Sequence, residues 1–420
     1  MEHTPLNISI VGAGLAGLAA AVALRRSGHQ VQIFESTQEL SEIGAAIVVP
    51  PNALRVLEHL GYAKENLNSV NWDEGHATRW LIPSVVRCRS FQYDNSVAQL
   101  VKTVMCLRSD FHHELKRLAL GPGDGIPAVL HLNSKMLTCD TDAGVLELSD
   151  GRRIQADVIL GADGISSTMR THILGNVQKS VSHGRSVYRA LIPYSKFDGI
   201  PELAWLRDGA SGPRLVFNYG LPLRALFMYP CRGGEFLNIT VHIDDPHHGD
   251  PDWRAEGSRA EVQAMFTEFH PQFQPLLAAL PECLPRWQMR VVPVLPTWVH
   301  GCAALLGDAA HATLPTLGQG AAMAMEDAGA LGALLPAGTK REDIPERLAA
   351  YEALRKERAD YVARESVEQQ KGEYYWCRWR AWFHSHCSDF SRAVKDMQEN
   401  LMNHDAVLTA RECFKEKFGV

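Results

Sequence analysis

The sequence predicts an α/β fold, in which a strand–helix–strand unit precedes a β-rich middle region and a helical C-terminal segment. Three observations predict it. A glycine-rich turn follows the first apolar strand, later apolar strands run into loops that hold Gly and Asp at 161–164 and 307–308, and β-type runs fill 172–290. A chain of 420 residues is too long for one simple core, so we expect two or three domains.

The composition is that of a soluble globular protein, with 46% apolar and 21% charged residues. A net charge of −6 without a long basic run disfavours nucleic-acid binding. No apolar stretch reaches the length of about 18 residues that indicates a membrane span, and the first residues read as a strand rather than a signal peptide. The nine Cys are scattered without a CxxC pair, and the 18 His show no metal-ligand spacing. The sequence therefore predicts free thiols, a cytoplasmic location and no metal site.

The first unit is a dinucleotide-binding pattern. An apolar strand at 8–11 leads into GAGLAG, and a helix and a second strand that ends at Glu35 follow. The glycines in GxGxxG spacing are Gly12, Gly14 and Gly17. They permit a tight turn, a close approach of the backbone to a pyrophosphate, and close packing of helix on strand. Glu35 can accept hydrogen bonds from ribose hydroxyls, which favours FAD or NAD over NADP. The unit predicts a Rossmann-type domain.

Two further runs repeat the pattern of a buried strand followed by a loop with Gly and Asp. In 145–170, an Asp150-Gly151 hairpin precedes an apolar strand, and Asp163 and the start of a helix follow that strand. In 302–328, the strand CAALL precedes Gly307-Asp308, a loop rich in small residues and a helix that begins near Gln319. Small residues let backbone N–H groups come close to a flat or phosphorylated ligand.

Together these motifs carry a family resemblance. GAGLAG with Glu35, GADGISSTMR (161–170) and GDAAHATLPTLGQGAAMAMEDA (307–328) resemble, in the same order, the single-component flavoprotein aromatic hydroxylases. This group includes p-hydroxybenzoate and salicylate hydroxylases, and the chain is most similar to its fungal secondary-metabolite members. The resemblance covers residues 6–365, and 366–420 match no pattern that we can name.

The resemblance implies a non-covalent FAD site with these positions. Gly12, Gly14, Gly17 and Glu35 would bind the ADP half. Segment 43–49, which includes Val48, would pass its backbone near the flavin. The other implied FAD contacts are Arg108, Asp163 near the pyrophosphate, Asp308 at the ribityl chain, and Pro315, Gly318, Gly320 and Ala321 along the isoalloxazine. Departures from the family pattern, such as IGAAI at 43–47 and HATLP at 311–315, loosen the inference about the substrate.

The resemblance also implies a reaction. NADPH or NADH would reduce FAD, O2 would add to give a flavin C4a-hydroperoxide, and its distal oxygen would hydroxylate or epoxidise a small, electron-rich aromatic molecule. The FAD-binding domain would comprise 1–75, 100–171 and 291–365, the substrate domain 76–99 and 172–290, and the helical segment 366–420. No second GxGxxG occurs, which argues against a separate nicotinamide domain.

The catalytic candidates lie in the β-rich region. Arg189, in the run VYRALIP, is implied to face the substrate and bind a phenolate, with Tyr219 or Tyr229 as a candidate partner. His311 would orient the Asp308 loop or act as a base. Two alternatives remain open: an FAD-binding protein without hydroxylase activity, and a flavin-dependent halogenase. The Trp-rich run at 374–383 predicts a packing helix or a dimer contact, so both a monomer and a homodimer fit.

Overall fold

The structure is a computed structural model that describes residues 4–40, 45–72, 75–79, 89–91, 103–207, 212–217, 224–245, 254–368 and 400–419. In chain order, its strands are β1 (Asn7–Val11), β2 (Gln30–Phe34), β3 (Ala46–Val49), β4 (Val70–Asn71), β5 (Gly75–Arg79), β6 (Arg89–Phe91), β7 (Val104–Leu107), β8 (Val129–His131), β9 (Met136–Asp140), β10 (Val145–Leu148), β11 (Arg153–Gln155), β12 (Val158–Gly161), β13 (Val181–Pro193), β14 (Arg214–Phe217), β15 (Arg224–Cys231), β16 (Phe236–Asp244), β17 (Arg254–Ser258), β18 (Cys283–Val291), β19 (Val299–His300) and β20 (Ala303–Leu305).

The helices alternate with the strands in the first half of the chain and dominate its end. They are α1 (Leu15–Arg26), α2 (Pro51–Leu60), α3 (Arg108–Leu120), α4 (Met169–Leu174), α5 (Arg259–Met265), α6 (Gln274–Ala278), α7 (Asp308–His311), α8 (Gly320–Leu334), α9 (Ile344–Glu368) and α10 (Ala406–Phe418). Short 3₁₀ turns lie at Lys64–Leu67, Tyr194–Phe197, Pro201–Leu206, Arg232–Gly234, Pro271–Phe273 and Arg341–Asp343.

The central six-stranded sheet has the strand order β19-β20-β12-β1-β2-β8. All its pairs are parallel except the β19–β20 edge. Its inner strands β1, β12 and β20 are mostly apolar and buried, as expected for a parallel sheet covered on both faces. The predicted βαβ unit forms as β1, α1 and β2. The predicted hairpin with Asp150-Gly151 at its turn also forms, between β10 and β11.

The large eight-stranded sheet has the order β17-β18-β13-β16-β15-β14-β5-β6. One face of its central strands packs on a second hydrophobic core, with buried side chains such as Tyr188, Leu226 and Val241 against helices α5 and α6. Strand residues of opposite parity, including Arg189, Thr240 and Phe227, therefore lie on the other face. A three-stranded sheet, β3-β7-β4, lies near that face, since Asn238 Oδ1 accepts a hydrogen bond from the backbone N–H of Ala46 (3.2 Å).

The C-terminal residues 400–419 are part of the packing around α8. Asp405 is the N-cap of helix α10, and its carboxylate accepts from the N–H of Leu408 (3.0 Å). A Cβ on Gly329 of α8 would lie 2.8 Å from Val407 and 3.1 Å from Val56. Arg55 of α2 donates to the carbonyl oxygen of Met402 (2.6 Å). The Trp-rich run at 374–383 lies outside the described residues.

Candidate functional site

The motifs predicted from sequence meet at one edge of the central sheet. The register places Val11 of β1 beside Gly161 of β12 on one side and Phe34 of β2 on the other, and Gly161 beside Leu305 of β20. Four parallel strands therefore end in one row, and the segments that hold Gly12, Glu35, Asp163 and Asp308 follow directly. Ligands of open α/β sheets bind in the crevice at the carboxyl ends of strands.

The glycine-rich turn is built by close backbone contacts. A Cβ on Gly12 would lie 2.4 Å from the carbonyl oxygen of Ala162, and one on Gly17 would lie 2.0 Å from the oxygen of Gly12. Gly12 also has a φ of +105°, which L side chains rarely adopt. The turn is anchored from α3, because His112 Nε2 lies 2.9 Å from the carbonyl oxygen of Ala13.

Glu35 lies at the end of β2 and reaches the same turn. Its Oε2 accepts from the N–H of Ala13 (2.9 Å), and its Oε1 accepts from the N–H of Thr37 (2.9 Å). Burial opposes ionisation of this carboxyl, but these hydrogen bonds outweigh burial and lower its pKa. Oε1 also accepts from Ser36 Oγ (3.1 Å), whereas Oε2 keeps a lone pair, so an ionised Glu35 can hold the turn and also accept from a ribose hydroxyl.

The Asp163 loop is tied to the Asp308 loop by a buried arginine. Asp163 caps α4, since its Oδ2 accepts from the N–H groups of Thr168 (2.7 Å) and Met169 (3.0 Å). Arg170, 1% exposed, donates to the carbonyl oxygens of Ala309 (2.8 Å) and Ile165 (3.0 Å). The sequence indicates only that Arg170 lies in the helix after Asp163, because nothing in the sequence shows which distant carbonyl groups it reaches.

The third motif forms a loop and the N-terminus of α8. Gly320 and Ala321 are half-buried in the first turn of α8, and Pro315 is exposed in the preceding loop. A Cβ on Gly318 would lie 3.7 Å from Cβ of Val48, so β3 and the loop face each other. Gln319 is held in place by α2, because its Oε1 accepts from Nδ2 of the buried Asn52 (2.9 Å). Residues 43 and 44 of the predicted flavin segment lie outside the described residues.

His311 does not face open space in this loop. Its Nε2 lies 2.6 Å from Oδ2 of Asp327 on α8, and both side chains are buried. Asp327 Oδ2 also accepts from the N–H of Gly307 (2.9 Å). The His311–Asp327 pair therefore ties the segment around Asp308 to α8. This geometry supports the role of His311 in orienting the Asp308 loop, and it does not leave Nε2 open to act as a base on a ligand.

Charged residues interact between the Asp308 loop, one of the predicted FAD-binding loops after β1, β12 and β20 (the FAD-type loops), and Arg189 of the large sheet. Asp308 is exposed at the start of α7, and Arg108 begins α3. Burial lowers the pKa of Arg108, the charge of Asp308 raises it, and the charge of Arg189 lowers it further. Arg108 is therefore within electrostatic reach of both a predicted FAD residue and the predicted catalytic arginine.

Arg189 lies on the face of the large sheet that is opposite the second core. Its Nε is buried and has no hydrogen-bond partner among the described residues, and its guanidinium lies 5.5 Å from the ring centre of Trp287. Burial lowers the pKa of Arg189, and Tyr229 counteracts this shift. An arginine with an unused buried donor is suited to a bound anion.

Two neighbours of Arg189 bear on the predicted site. Tyr229, one of the two tyrosines proposed from sequence, is buried, and burial raises its pKa although Arg189 opposes the shift, so it stays protonated at neutral pH. Tyr219, the other tyrosine, lies outside the described residues. His242 was not predicted. It lies on β16 near Arg189, and only the strand pairing brings the two residues together.

The donor set fits FAD. Among the described residues, a Cβ on Gly14 or Gly164 would meet nothing within 4 Å, so open space lies beside both loops. No side chain caps α1 or α8 in this part of the chain, which leaves the first N–H groups of both helices for a ligand. Helix N-termini of this kind bind phosphate and stabilise anionic groups.

Comparisons with known proteins agree with this geometry. Residues 6–366 match the family described as FAD binding domain. The chain belongs to this family. It is 44% identical over 376 residues to hispidin-3-hydroxylase of Neonothopanus nambi, which covers 87% of this chain and 88% of that protein. It is 32% identical over 372 residues to an FAD-dependent monooxygenase of Aspergillus candidus, over 86% and 85% of the two chains.

The fold has a solved counterpart. A salicylate hydroxylase substrate complex superposes with a TM-score of 0.75 over 97% of this chain and 98% of that chain, at 24% sequence identity. The expectation of an α/β fold with an FAD-binding domain is confirmed. The protein is an FAD-dependent oxidoreductase of the monooxygenase and aromatic hydroxylase type. Within the described ranges, no helix is both long enough and apolar enough to cross a membrane.

Proposed function

We propose that this protein uses NADPH or NADH and O2 to hydroxylate, or epoxidise, a small phenolic ring bound between the FAD loops and the large sheet. The observation that carries the proposal is the buried Nε of Arg189, which has no hydrogen-bond partner among the described residues, on the sheet face next to β3. The charge interactions of Arg108 with both Asp308 and Arg189 support the same position for the substrate. Residues 76–99 and 172–290 would form the substrate domain, with the remaining chain to 365 around FAD.

The character of the sheet face supports a flat, electron-rich substrate. Trp287 and Phe227 offer aromatic surface, and Arg189 offers a positive charge that stabilises a phenolate. A phenolate is a better electron donor than a phenol, so a ring held in that form reacts more readily with an electrophilic oxygen. Arg189 would bind the substrate oxygen and fix the ring orientation.

The proposed FAD contacts follow the geometry of the loops. Gly12, Gly14, Gly17 and Glu35 would bind the ADP half, with Gly14 and the N-terminus of α1 at the pyrophosphate and Glu35 at the ribose, and Asp308 would bind the ribityl chain. The segment from Pro315 to Ala321 would lie along the isoalloxazine, with Val48 opposite. Bound there, FAD supplies the oxygen chemistry, and the chain's own residues exclude water and hold the substrate ring.

The names of the similar proteins suggest which compounds to test first as substrates. Hispidin-3-hydroxylase is named for hispidin, so we propose hispidin as the first compound to test, and fungal secondary metabolism as the first context. Salicylate, simple phenols and indoles complete the panel.

The test is a substrate screen on purified holoenzyme. NADPH and NADH oxidation and product mass are followed for each compound, with and without O2. We expect one phenolic compound to accelerate NAD(P)H oxidation and to gain one oxygen atom from O2. If no compound of the panel gains oxygen while FAD remains bound, the proposal of a hydroxylase with this substrate class is wrong. A chlorinated product formed in the presence of chloride would favour a halogenase instead.

A further inference from the structure

His242 shares the flavin-side face of the large sheet with Arg189. In the pairing of β13 with β16, Val187 lies opposite His242 and Arg189 lies opposite Thr240, so His242 and Arg189 are diagonal neighbours on one face. Across the other edge of β16, His242 lies opposite the small residue Ala225 of β15. The imidazole is half-buried, and a small neighbour leaves space beside it.

Thr240 fixes the tautomer of the His242 ring. Thr240 Oγ1 donates to the carbonyl oxygen of Phe227 (3.3 Å) and lies 3.0 Å from His242 Nε2. A threonine hydroxyl has one proton, so both hydrogen bonds form together only when Thr240 accepts from Nε2–H; the lone pair of the neutral ring then lies on Nδ1. In the described part of the chain, no hydrogen bond is donated to Nδ1. A proton acceptor is thereby held on the same face as an unsatisfied guanidinium.

The surroundings keep this imidazole neutral in the substrate-free protein. Burial lowers the pKa of His242 to about 4, and the charges of Arg189 and Arg185 act in the same direction. Both arginines lie on β13, and Arg185 is paired with Asp244 of β16 at 3.4 Å. From β15, the ionisable neighbour of Arg189 is Tyr229, which stays protonated. An anion bound to Arg189 would offset the positive charge that disfavours the imidazolium.

We propose that His242 takes the proton from the hydroxyl of the phenolic substrate whose oxygen binds Arg189. The inference rests on the proposed function, since it needs a phenol at this face. The O–H bond breaks, its electron pair stays on the phenolate oxygen, and the proton binds the Nδ1 lone pair. The phenolate then lies between the guanidinium of Arg189 and the imidazolium of His242. After the product leaves, the imidazolium returns its proton to solvent because its pKa falls again.

Ionisation of a bound phenol can be measured without turnover. 4-Nitrophenol is the probe, because its phenolate is yellow and its neutral form is not. The holoenzyme is titrated with the probe at about pH 6, without NAD(P)H, where the free probe is largely protonated and substrate-free His242 is neutral. We expect the wild-type protein to bind the probe as the yellow phenolate, because the proton remains in the complex on His242.

The variant is His242→Gln, which keeps a polar group but cannot hold the proton at this pH. We expect it to retain FAD and to bind the probe as the neutral phenol, with the yellow form returning as the pH rises. The matched control is His300→Gln, because His300 also pairs with a threonine, Thr141 (2.7 Å), but lies on the exposed edge of the central sheet. The control should ionise the probe as the wild type does.

With a turnover substrate, the same variant separates proton transfer from binding. We expect kcat for hydroxylation by His242→Gln to fall about 100-fold near pH 6 and to recover with increasing pH, while KM changes little. A structural histidine would give a loss that does not depend on pH. If His242→Gln ionises 4-nitrophenol at pH 6 as well as the wild type, or if the wild type shows no phenolate, the assignment is wrong. Because the probe needs no turnover, this result is independent of whether the hydroxylation screen succeeds.

Discussion

Arg189 is the residue on which substrate recognition is expected to depend. A guanidinium with an unsatisfied buried donor is costly to hold in a sheet face, and burial already lowers the pKa of Arg189. Its Nε has no hydrogen-bond partner among the described residues, while the nearby Trp287 offers only the face of a ring. A residue kept in this state gains most when an anion arrives, which is how a substrate-binding arginine differs from a structural one.

We expect Arg189→Gln to keep the fold and FAD but to lose hydroxylation, with kcat and kcat/KM falling together. The reason is that the charge-assisted contact to the phenolate strengthens as charge develops on the ring. Arg189→Lys should recover only part of the activity, because an ammonium lacks the planar fork. Product formation and flavin spectra of the three proteins provide the measurement. A Gln variant that hydroxylates at the wild-type rate would make Arg189 structural.

Glu35 is expected to have two roles, one in the structure of the glycine-rich turn and one in binding FAD. It holds the glycine-rich turn through the N–H of Ala13, and it is proposed to accept from the ribose. We expect Glu35→Ala to weaken FAD binding roughly 10- to 150-fold, since a hydrogen bond to a charged group contributes about 1.5–3 kcal/mol. Turnover of the remaining holoenzyme should change less.

The FAD dissociation constant, measured by fluorescence titration of the apoprotein, checks this. Glu35→Gln should lose less than Ala because its amide oxygen can still accept from Ala13. Glu147→Ala, exposed on β10, is the control for a lost surface carboxylate. An unchanged dissociation constant in Glu35→Ala would rule out the ribose assignment.

At the residue level, the sequence predicted best the positions of residues that follow the end of a strand. Gly12, Glu35 and Asp308 each follow an apolar strand directly, so local pattern was sufficient to place them at one sheet edge. His242 and Arg170 could not be found in this way. The role of His242 depends on the register of β13 with β16, and that of Arg170 on carbonyl groups up to 139 positions away. Pairing register and long-range partners are set by the whole core, not by neighbours in sequence.

At the level of elements, α8 connects the flavin loop to the C-terminal segment. Its first turn faces the proposed isoalloxazine, and its middle carries Gly329, where α2 and α10 come close. The sequence predicted the start of this helix near Gln319, and the structure has the helix at Gly320–Leu334. It did not predict that α10 packs on it, because residues 366–420 carried no recognisable motif. A helix–helix contact that depends on one small residue, here Gly329, produces no recognisable pattern in the amino-acid sequence.

We expect Gly329→Val to destabilise the protein by about 1–3 kcal/mol, because its Cβ alone would lie 2.8 Å from Val407 and 3.1 Å from Val56. Gly329→Ala should lose less, since Ala also favours a helix by about 1 kcal/mol over Gly. Urea denaturation of both variants checks the order. Limited proteolysis should show earlier cleavage near α10 in the Val variant. Equal stability of wild type and Val variant would mean that α10 does not pack on α8 in solution.

At the level of the whole molecule, a buried ionic cluster joins the FAD-type loop, α8, α9 and the C-terminal residues. Glu326 and Asp327 of α8 are fully buried and contact Arg355 of α9, and Arg358 donates to Glu326 (2.8 Å) and to the carbonyl oxygen of Leu401 (2.8 Å). Burial disfavours the two carboxylates, but the neighbouring cations outweigh it and lower both pKa values. Removing one partner of such a cluster leaves an unpaired buried charge.

The cluster predicts how stability depends on pH. A carboxyl group whose pKa is lower in the folded than in the unfolded state stabilises the protein above its unfolded pKa of about 4, and this contribution is lost as the pH falls. Buried histidines whose pKa is lowered, such as His29 and His112, act in the same direction below about pH 6.5. Stability should therefore decrease in two stages on acidification, first through histidines and then through Glu326 and Asp327.

Asp327→Asn separates the two stages. We expect it to cost about 3–5 kcal/mol at pH 7, because Arg355 and His311 lose a charged partner, and to flatten the fall in stability below about pH 5. The histidine stage above pH 5 should remain. Thermal denaturation of the holoenzyme from about pH 7 to about pH 2 checks both stages, with Glu342→Gln, an exposed surface carboxylate, as the control. If Asp327→Asn loses stability on acidification as steeply as the wild type below pH 5, this carboxylate is not ionised in the fold, and the cluster cannot be what holds the flavin loop to the C-terminal helices.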